Sequence, residues 1–415
     1  MTIINSLRGT CDILPGEIQY WHYIETEAKT LFEKADYEEI RTPLIEVQNL
    51  FERGIGKDTD IISKEMYNFQ DKGKRNITLR PEGTAGIARC FIEHKLYNKN
   101  KEHKFWYSGP MFRYERPQYG RQRQFTQIGI EILGIQDAIA DAEAISLGFN
   151  FLKNLNLQSF YLEINSIGSL NNRRQYTDSL TQYLKKYYNE LDEESQYRLE
   201  TNPLRILDSK NEKIQEILEY APNITYFLDK ESKSHFDSLK LYLDAIDIPY
   251  EFNHKLVRGL DYYNNTAFEF KAKQLGSQNT ICGGGRYDTL IEILGGPATP
   301  AIGWAIGLER LIAIVKHNID VKSHLVDFYI ISDNTRQAKL ECLIVFNNLV
   351  KKDYKVKLDL NDSKIQKKLK KASNCLAKFC IIIGEEEIKK EYIIKKDMSS
   401  GLQDWIKKED LLDQL

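Results

Sequence analysis

Four arginines stand between residues 113 and 123 in the segment MFRYERPQYGRQRQFTQIGIE, residues 111–131. A guanidinium is permanently charged and suits phosphate oxygens in a two-pronged geometry, so the cluster suits a phosphorylated ligand; a solvated basic loop with surface ion pairs is the alternative. The charge then stops and an alternating run begins. Successive side chains of a strand point to opposite faces. Ile128, Ile130 and Ile132 therefore share one face, and Gln127, Gly129 and Glu131 share the other. The isoleucines can pack on helices. An amide, a gap and a carboxylate in a row suit a small polar ligand. Arg113 lies on the face of Gly109 and Met111 on the preceding strand, while Arg116, Arg121 and Arg123 sit in or near the loop, within reach of a larger polyanion.

Other ways of holding phosphate are missing. GIGKDTD, residues 54–60, has a Gly-Lys pair but lacks the following Ser or Thr and the first glycine of a P-loop. GGGRYD, residues 283–288, is not GxGxxG. No kinase set and no nucleophile elbow occurs. A nucleotide here would lie on an antiparallel sheet among arginines. The seven histidines form no HExxH, and the six cysteines, Cys11, Cys90, Cys282, Cys342, Cys375 and Cys380, include no CxxC. No protein-held metal is expected, and the thiols read as reduced, as in a cytoplasmic protein.

Several elements must position these groups. Residues 17–36 carry Trp21, Ile24, Ala28, Leu31 and Phe32 at helical spacing. YEEIRTPLIE, 37–46, reads as a strand interrupted by Pro43. NITLRPEGTAGIARCFIEH, 76–94, reads as strand, turn, helix, with Glu82, Gly83 and Thr84 at the turn, where backbone amides face a ligand. KFWYSGPMFRYE and RQFTQIGIEILG form an antiparallel hairpin around a loop near residue 120. Residues 137–155 are a helix, followed by a strand at FYLEINSIG. From 170 to 250 helical spacing dominates and sharp motifs thin out, which marks an inserted module. Strand-like sequence returns at RGLDYYNNTAFEF, 258–270; GGGRYD is expected to be a tight turn, and AIGWAIGLERLIAIV, 301–315, leads into a helix. Beyond residue 325 strand and helix alternate, as in a compact α/β domain.

A chain of 415 residues suggests two or three domains. Its net charge of −2 carries no global basic field, so any anion site is local. No apolar run approaches the roughly 20 residues of a membrane span, and the N-terminus lacks a signal peptide's basic-then-apolar order. Residues 364–378 hold six lysines and no acid, with Lys364, Lys367, Lys368 and Lys371 at helical spacing. Such a face suits a phosphate backbone; a solvated helix face is the alternative.

Taken together, these segments resemble the class II aminoacyl-tRNA synthetases, and more narrowly the histidyl-tRNA synthetases. YEEIRTPLIE resembles the first class motif, a dimer-interface segment; FRYERPQYGRQRQFTQIGIE resembles the second; AIGWAIGLERL, ending in Arg310, resembles the third. RGTCDILP (8–15), LRPEGTAG (79–86), LVRGLDYYNNTAFEF (256–270) and GGGRYD narrow the resemblance to the histidine family. It runs from residue 8 to about 312, apart from the inserted module, and more loosely to the C-terminus.

The resemblance implies an α+β fold: a class II antiparallel sheet flanked by helices (1–169 and 251–322), a helical insertion (170–250) and a C-terminal α/β anticodon-binding domain (326–415). It implies ATP-dependent attachment of L-histidine to tRNA(His) through histidyl-adenylate, by a cytoplasmic homodimer. Arg113 is expected at the α-phosphate, Arg258 bridging carboxylate and phosphate, and Arg310 at the terminal phosphates, with Mg2+ among them and Glu131 also at the ATP. Glu82, Gly83 and Thr84 are expected at the α-ammonium, Glu131 and Tyr263 at the imidazole, with Gln127 and Tyr262 completing the pocket. Arg116, Gln118, Arg121 and Arg123 are expected at the tRNA. The structural alternatives are a pairing of Arg258 with Asp261, of Arg310 with Glu309, and tyrosines that only pack. A rival function is the histidine-sensing regulatory subunit of ATP phosphoribosyltransferase, and a second is a non-enzymatic RNA-binding protein built on the same core.

Overall fold

The computed structural model describes residues 3–56, 59–118, 120–273, 279–316, 318–319, 326–408 and 410. The chain divides into two compact units, Met1–Asp320 and Val321–Leu415.

In the first unit, β1 (Glu38–Glu39) belongs to the large sheet, whereas β2 (Ile45–Val47), β3 (Tyr67–Gln70) and β4 (Asn76–Leu79) form a small one. The strand expected over 37–46, interrupted at Pro43, is two strands in two sheets. Pro43, with no amide hydrogen to give a ladder, lies between them. The remaining strands are β5 (His103–Phe112), β6 (Gln124–Leu133), β7 (Phe160–Ser166), β8 (Glu251–Phe252), β9 (Asn264–Ala272), β10 (Thr280–Arg286) and β11 (Ala301–Gly307). The large sheet has the order β1-β5-β6-β11-β10-β9-β7-β8. Its six inner strands pair antiparallel.

Alternation along β6 divides the sheet's two faces. Ile128, Ile130 and Ile132 are buried, each worth roughly 1.5–3 kcal/mol of burial. The helices Ile18–Lys34 and Ile139–Asn154 cover their side. There Phe32 meets Trp106, Phe151 and Trp304 with ring centroids 5.6–5.9 Å apart. Trp304 donates its indole N–H to the Ala144 carbonyl at 2.8 Å.

GGGRYD is not a turn. Its glycines lie in β10, paired on both sides with β9 and β11. They serve close approach of neighbouring groups rather than unusual backbone angles.

Between Leu170 and Ala245 run the helices Leu170–Lys185, Glu193–Thr201, Glu212–Glu219 and Lys230–Ala245. Each begins at a capping side chain, Ser169, Asp192, Asn211 and Asp229, which accepts a first-turn amide hydrogen.

The second unit carries β12 (Phe328–Ser332), β13 (Val356–Leu358), β14 (Phe379–Ile383), β15 (Tyr392–Asp397) and β16 (Gln403–Lys407) in the order β13-β12-β14-β15-β16. The first three are parallel and the last two add an antiparallel hairpin. Ala338, Cys342, Val345 and Leu349 of helix Arg336–Lys351 pack on one face, and Ala372 of helix Ile365–Asn374 on the other.

The expected lysine face is smaller than its spacing implies. Lys368 is fully buried and donates to the Ser332 carbonyl at 2.9 Å and to Asn334 Oδ1 at 2.5 Å. Lys371 stands 3.5 Å from Asp359. The side of the helix that carries Lys368 and Ala372 faces the sheet, so its cations serve the fold. Lys364, Lys367 and Lys370 remain exposed.

Candidate active site

Cross-strand partners share a face of a sheet. The register places Tyr107 beside Gly129, Gly129 beside Ala305, and Ala305 beside Gly283. It also places Glu131 beside Gly303, Gly303 beside Gly285, and Gln127 beside Gly307. The face opposite the buried isoleucines is therefore almost bare along three adjacent strands. The space is taken by functional groups from elsewhere. A methyl on Gly129 would sit 2.5 Å from the Tyr107 hydroxyl, and one on Gly285 would sit 2.9 Å from the Tyr263 ring. On Gly303 it would overlap the Glu131 carboxylate, and on Gly283 the Arg258 guanidinium.

One end of this face is a buried polar cluster. Glu131 is 1% exposed. It accepts the Thr84 hydroxyl at 2.6 Å and a short hydrogen bond from the Tyr287 hydroxyl. Burial pushes its carboxyl up to about 8, against the pull of those two donors. Glu82 sits at the start of helix Thr84–Glu93 and accepts the amide hydrogens of Thr84 and Ala85 at 2.7 and 2.8 Å. Burial raises its carboxyl too, opposed by those amides and by Arg113. Gly83 has no Cβ because the Tyr107 ring occupies that place. The rings of Tyr262 and Tyr263 lie 4.7 Å apart, and Tyr262 meets Tyr287 at 5.6 Å. Two buried polar atoms here, Gln127 Oε1 and the Tyr107 hydroxyl, have no partner among the described residues. A ligand carrying hydrogen-bonding groups would satisfy them.

The other end opens into a cleft of about 630 Å³ lined by Arg113, Arg121, Arg258 and Arg310, with Gly283 and Ala305 on its floor. Arg113 is aimed by its Nε–H, which donates to the Pro81 carbonyl at 2.8 Å, and its guanidinium lies over the Phe125 ring. Arg258 pairs with Glu269, not with Asp261. Glu269 in turn accepts Thr280 Oγ1 at 2.8 Å and stands 3.5 Å from Lys271. Arg310 does not pair with Glu309, whose carboxylate instead accepts the Thr126 amide hydrogen at 2.9 and 3.0 Å. Burial and the nearby Arg121 bring Arg310 down to about 10. A buried cation facing another cation is relieved by an anion between them. The buried Nε atoms of Arg258 and Arg310 have no partner among the described residues.

The loop cations separate. Arg116 and Gln118 are exposed, and a turn closes from Gln118 to Arg121. Arg121 reaches the cleft and pairs with Glu115 at 3.2 Å. Arg123 stacks on Tyr114, 3.6 Å from the ring centroid, and its amide hydrogen goes to the Gly9 carbonyl at 2.6 Å. It ties the N-terminal segment to the hairpin. Glu131 stays in the buried cluster and does not line the cleft.

Three contributors escaped the sequence reading. Tyr107 could be found only from strand register. Tyr287 lies inside the quoted GGGRYD, which was taken for a turn. Glu269 lies on β9 within a segment noted for its tyrosines.

Comparison with known proteins agrees with this geometry. The family described as "Histidyl-tRNA synthetase" matches residues 9–311, and "Anticodon binding domain" matches 326–415. The chain is 50% identical over 415 residues to the histidine–tRNA ligase of Cyanothece sp., covering 100% of this chain and 96% of that one. It is 52% identical over 397 residues to the chloroplastic histidine–tRNA ligase of Gracilaria tenuistipitata var. liui, covering 96% and 94%. The crystal structure of apo S. aureus histidyl-tRNA synthetase superposes with a TM-score of 0.82 at 37% identity, covering 99% of both chains. A Bacillus halodurans C structure described as an ATP phosphoribosyltransferase regulatory subunit/histidyl-tRNA synthetase shares the fold at 20% identity and a TM-score of 0.68, covering 92% of this chain and 99% of that one. With a sheet whose bare face holds a carboxylate–phenol cluster beside an arginine-lined cleft, the chain belongs to the histidyl-tRNA synthetase family.

Proposed function

We propose that the chain joins L-histidine to ATP, giving histidyl-adenylate and pyrophosphate, and then passes the histidyl group to the 3′-hydroxyl of the terminal adenosine of tRNA(His). One observation carries this reading. Guanidinium groups from three distant segments, Arg113, Arg258 and Arg310, line one cleft beside a buried cluster of Glu82, Glu131 and four tyrosines.

In this reading the carboxylate of histidine attacks the α-phosphate and pyrophosphate leaves. Arg113 and Arg258 stabilise the charge that grows on the non-bridging oxygens. Arg310 and Arg121 hold the terminal phosphates. Glu82, Thr84 and the orphaned Gln127 Oε1 receive the α-ammonium, over Gly83. Glu131 accepts the ring N–H, with Tyr262 and Tyr263 closing the pocket. A site built to satisfy both ring nitrogens rejects side chains that lack them, because its own groups would be left unpaired. Among the described residues no three His, Cys, Asp or Glu side chains stand together as metal ligands. Mg2+ would arrive with the triphosphate of ATP and would supply further positive charge at the phosphate oxygens.

Residues 1–169 with 251–322 form the catalytic core in this scheme, 170–250 the insertion and 326–415 the anticodon-binding domain. Arg116 and Gln118 are left for the acceptor end of the tRNA. A homodimer fits the exposed Leu44, Ile45 and Val47 of the first class motif and its β2 continuation. A reducing compartment, the cytoplasm, fits the six free cysteines. Among the described residues no helix is long and apolar enough to cross a membrane.

Pyrophosphate exchange across a panel of amino acids tests the proposal. Exchange with histidine alone, without tRNA, is the expected result. No exchange with any amino acid would leave a histidine sensor or an RNA-binding protein instead.

A further inference from the structure

The helical segment Leu170–Ala245 has no part in the scheme above, yet it grips the loop that carries the substrate-binding tyrosines. Residues 258–263 place Arg258 at one end and Tyr262 and Tyr263 at the other, with Asp261 between. Asp261 is pinned from the core side: its amide hydrogen goes to the Ile55 carbonyl at 3.0 Å, and its carboxylate lies over Gly56, whose φ of +102° and missing Cβ make the room. The helical segment pins it from the other side. Arg173 donates to the Asp261 carbonyl at 2.7 Å and to its Oδ1 at 3.1 Å, and reaches the Tyr263 carbonyl at 3.4 Å. Asn202 donates to the same Oδ1 at 3.2 Å. Arg205 packs its guanidinium against Gly259, where a methyl would stand 2.8 Å away. Leu204 and Ile224 belong to the apolar cluster on which Val257 and Leu260 rest.

The same segment forms part of the nucleotide cleft. Arg198 and Arg205 line it and both face Asp60, at 3.9 and 3.4 Å. Side chains from the helix Leu170–Lys185 and from the turn at Asn202–Arg205 thus converge on Gly259, Leu260 and Asp261, the three loop residues between Arg258 and Tyr262. A segment that served only to meet RNA would not require these bonds.

We propose that Leu170–Ala245 is a brace of the amino-acid and ATP site, with Arg173 and Asn202 as positioning residues that hold Arg258, Tyr262 and Tyr263 through Asp261. This rests on the activation of histidine proposed above. It makes the segment necessary for adenylate formation with no RNA present.

The test uses the full chain, with histidine-dependent pyrophosphate exchange measured without tRNA and transfer from preformed adenylate measured separately. Arg173→Ala is expected to lower kcat and raise the histidine KM, with kcat/KM falling roughly 10- to 100-fold, since a misplacement of about 1 Å at a reacting group costs on this order. Transfer is expected to stay within about twofold. Arg173→Lys should recover part of the loss. The double variant Arg173→Ala with Asp261→Asn should lose little more than either single one, the mark of groups acting on one bond network. Asn202→Ala removes a single neutral donor and decides the matter if Arg173→Ala does not fold. Exchange within about twofold of the parent in a folded variant, or a loss confined to transfer, overturns the brace. The unmodified chain is run alongside, and its failure to exchange would instead overturn the activation reading.

Discussion

At the scale of single residues, Glu131 is the group whose chemistry depends most on its surroundings. It is fully enclosed, and its carboxyl is raised from the ordinary range to about 8 by burial. Among the described residues two hydroxyls, those of Thr84 and Tyr287, support its ionised form. Tyr287 is itself held firmly: the preceding Arg286 is buried against Asp141 at 2.6 Å, and the following Asp288 accepts an Asn264 amide hydrogen at 2.8 Å. Removing a hydrogen bond to a charged group costs about 1.5–3 kcal/mol. Tyr287→Phe is therefore expected to lower kcat/KM for histidine by about 10- to 100-fold while leaving the KM for ATP near that of the parent. An equal rise in both constants would remove Tyr287 from amino-acid recognition. The raised carboxyl also has a stability consequence. A group whose folded pKa lies above its unfolded one gives stability that is complete below the unfolded value and is lost as pH rises through the folded one. Between about pH 4.5 and about 8, the unliganded parent should lose thermal stability relative to Glu131→Gln. Unfolding midpoints of the two proteins followed across that window check this, and a constant difference would mean that Glu131 is not strained by burial.

At the scale of elements, the glycines of β10 and β11 show what the sequence could and could not disclose. Gly283→Ala would drive a methyl into the Arg258 guanidinium, the movable end of a long side chain. The strand should survive and Arg258 should shift. Exchange is expected to fall about 100-fold with the unfolding midpoint nearly unchanged. Gly303→Ala would press a methyl on the Ile130 carbonyl as well as on Glu131, and backbone cannot swing aside. Loss of stability together with activity is expected there, and the reverse ranking of the two variants in thermal unfolding would contradict the geometry. The hairpin of β5 and β6 was legible because alternation over ten residues is a strong signal. So were the helix at Ile18–Lys34 and the turn bearing Glu82, Gly83 and Thr84. GGGRYD was misjudged because glycine runs signal turns, and only the neighbouring strands reveal glycines that make room for Arg258 and Tyr263. Tyr107 was invisible for a related reason, since its place opposite Gly129 depends on pairing that no local pattern encodes. Arg123 looked like a ligand for RNA because charge can be counted along a chain, whereas its stacking on Tyr114 cannot.

At the scale of the whole molecule, a net charge of −2 must serve two polyanions, and the cations are accordingly grouped in place. The first unit concentrates arginines in the cleft. The second unit exposes lysines on the helix Ile365–Asn374 and just before it, but fewer than their spacing announced. Lys368 is consumed by the end of β12, and Lys371 leans toward Asp359. Lys364, Lys367 and Lys370 are exposed and carry the case for contact with a nucleic-acid backbone. Each lysine that neutralises a phosphate releases counterions, so binding weakens with salt in proportion to the number of such contacts. Replacing all three by glutamine should raise the KM for tRNA and flatten the dependence of binding on salt by a slope of about two to three. Histidine-dependent exchange without tRNA, proposed above for the other unit, should be unchanged. Thermal unfolding should also match the parent, because none of the three side chains is buried. A salt slope and a tRNA KM equal to the parent's would show that this face is only solvated and that the second unit meets RNA through another surface.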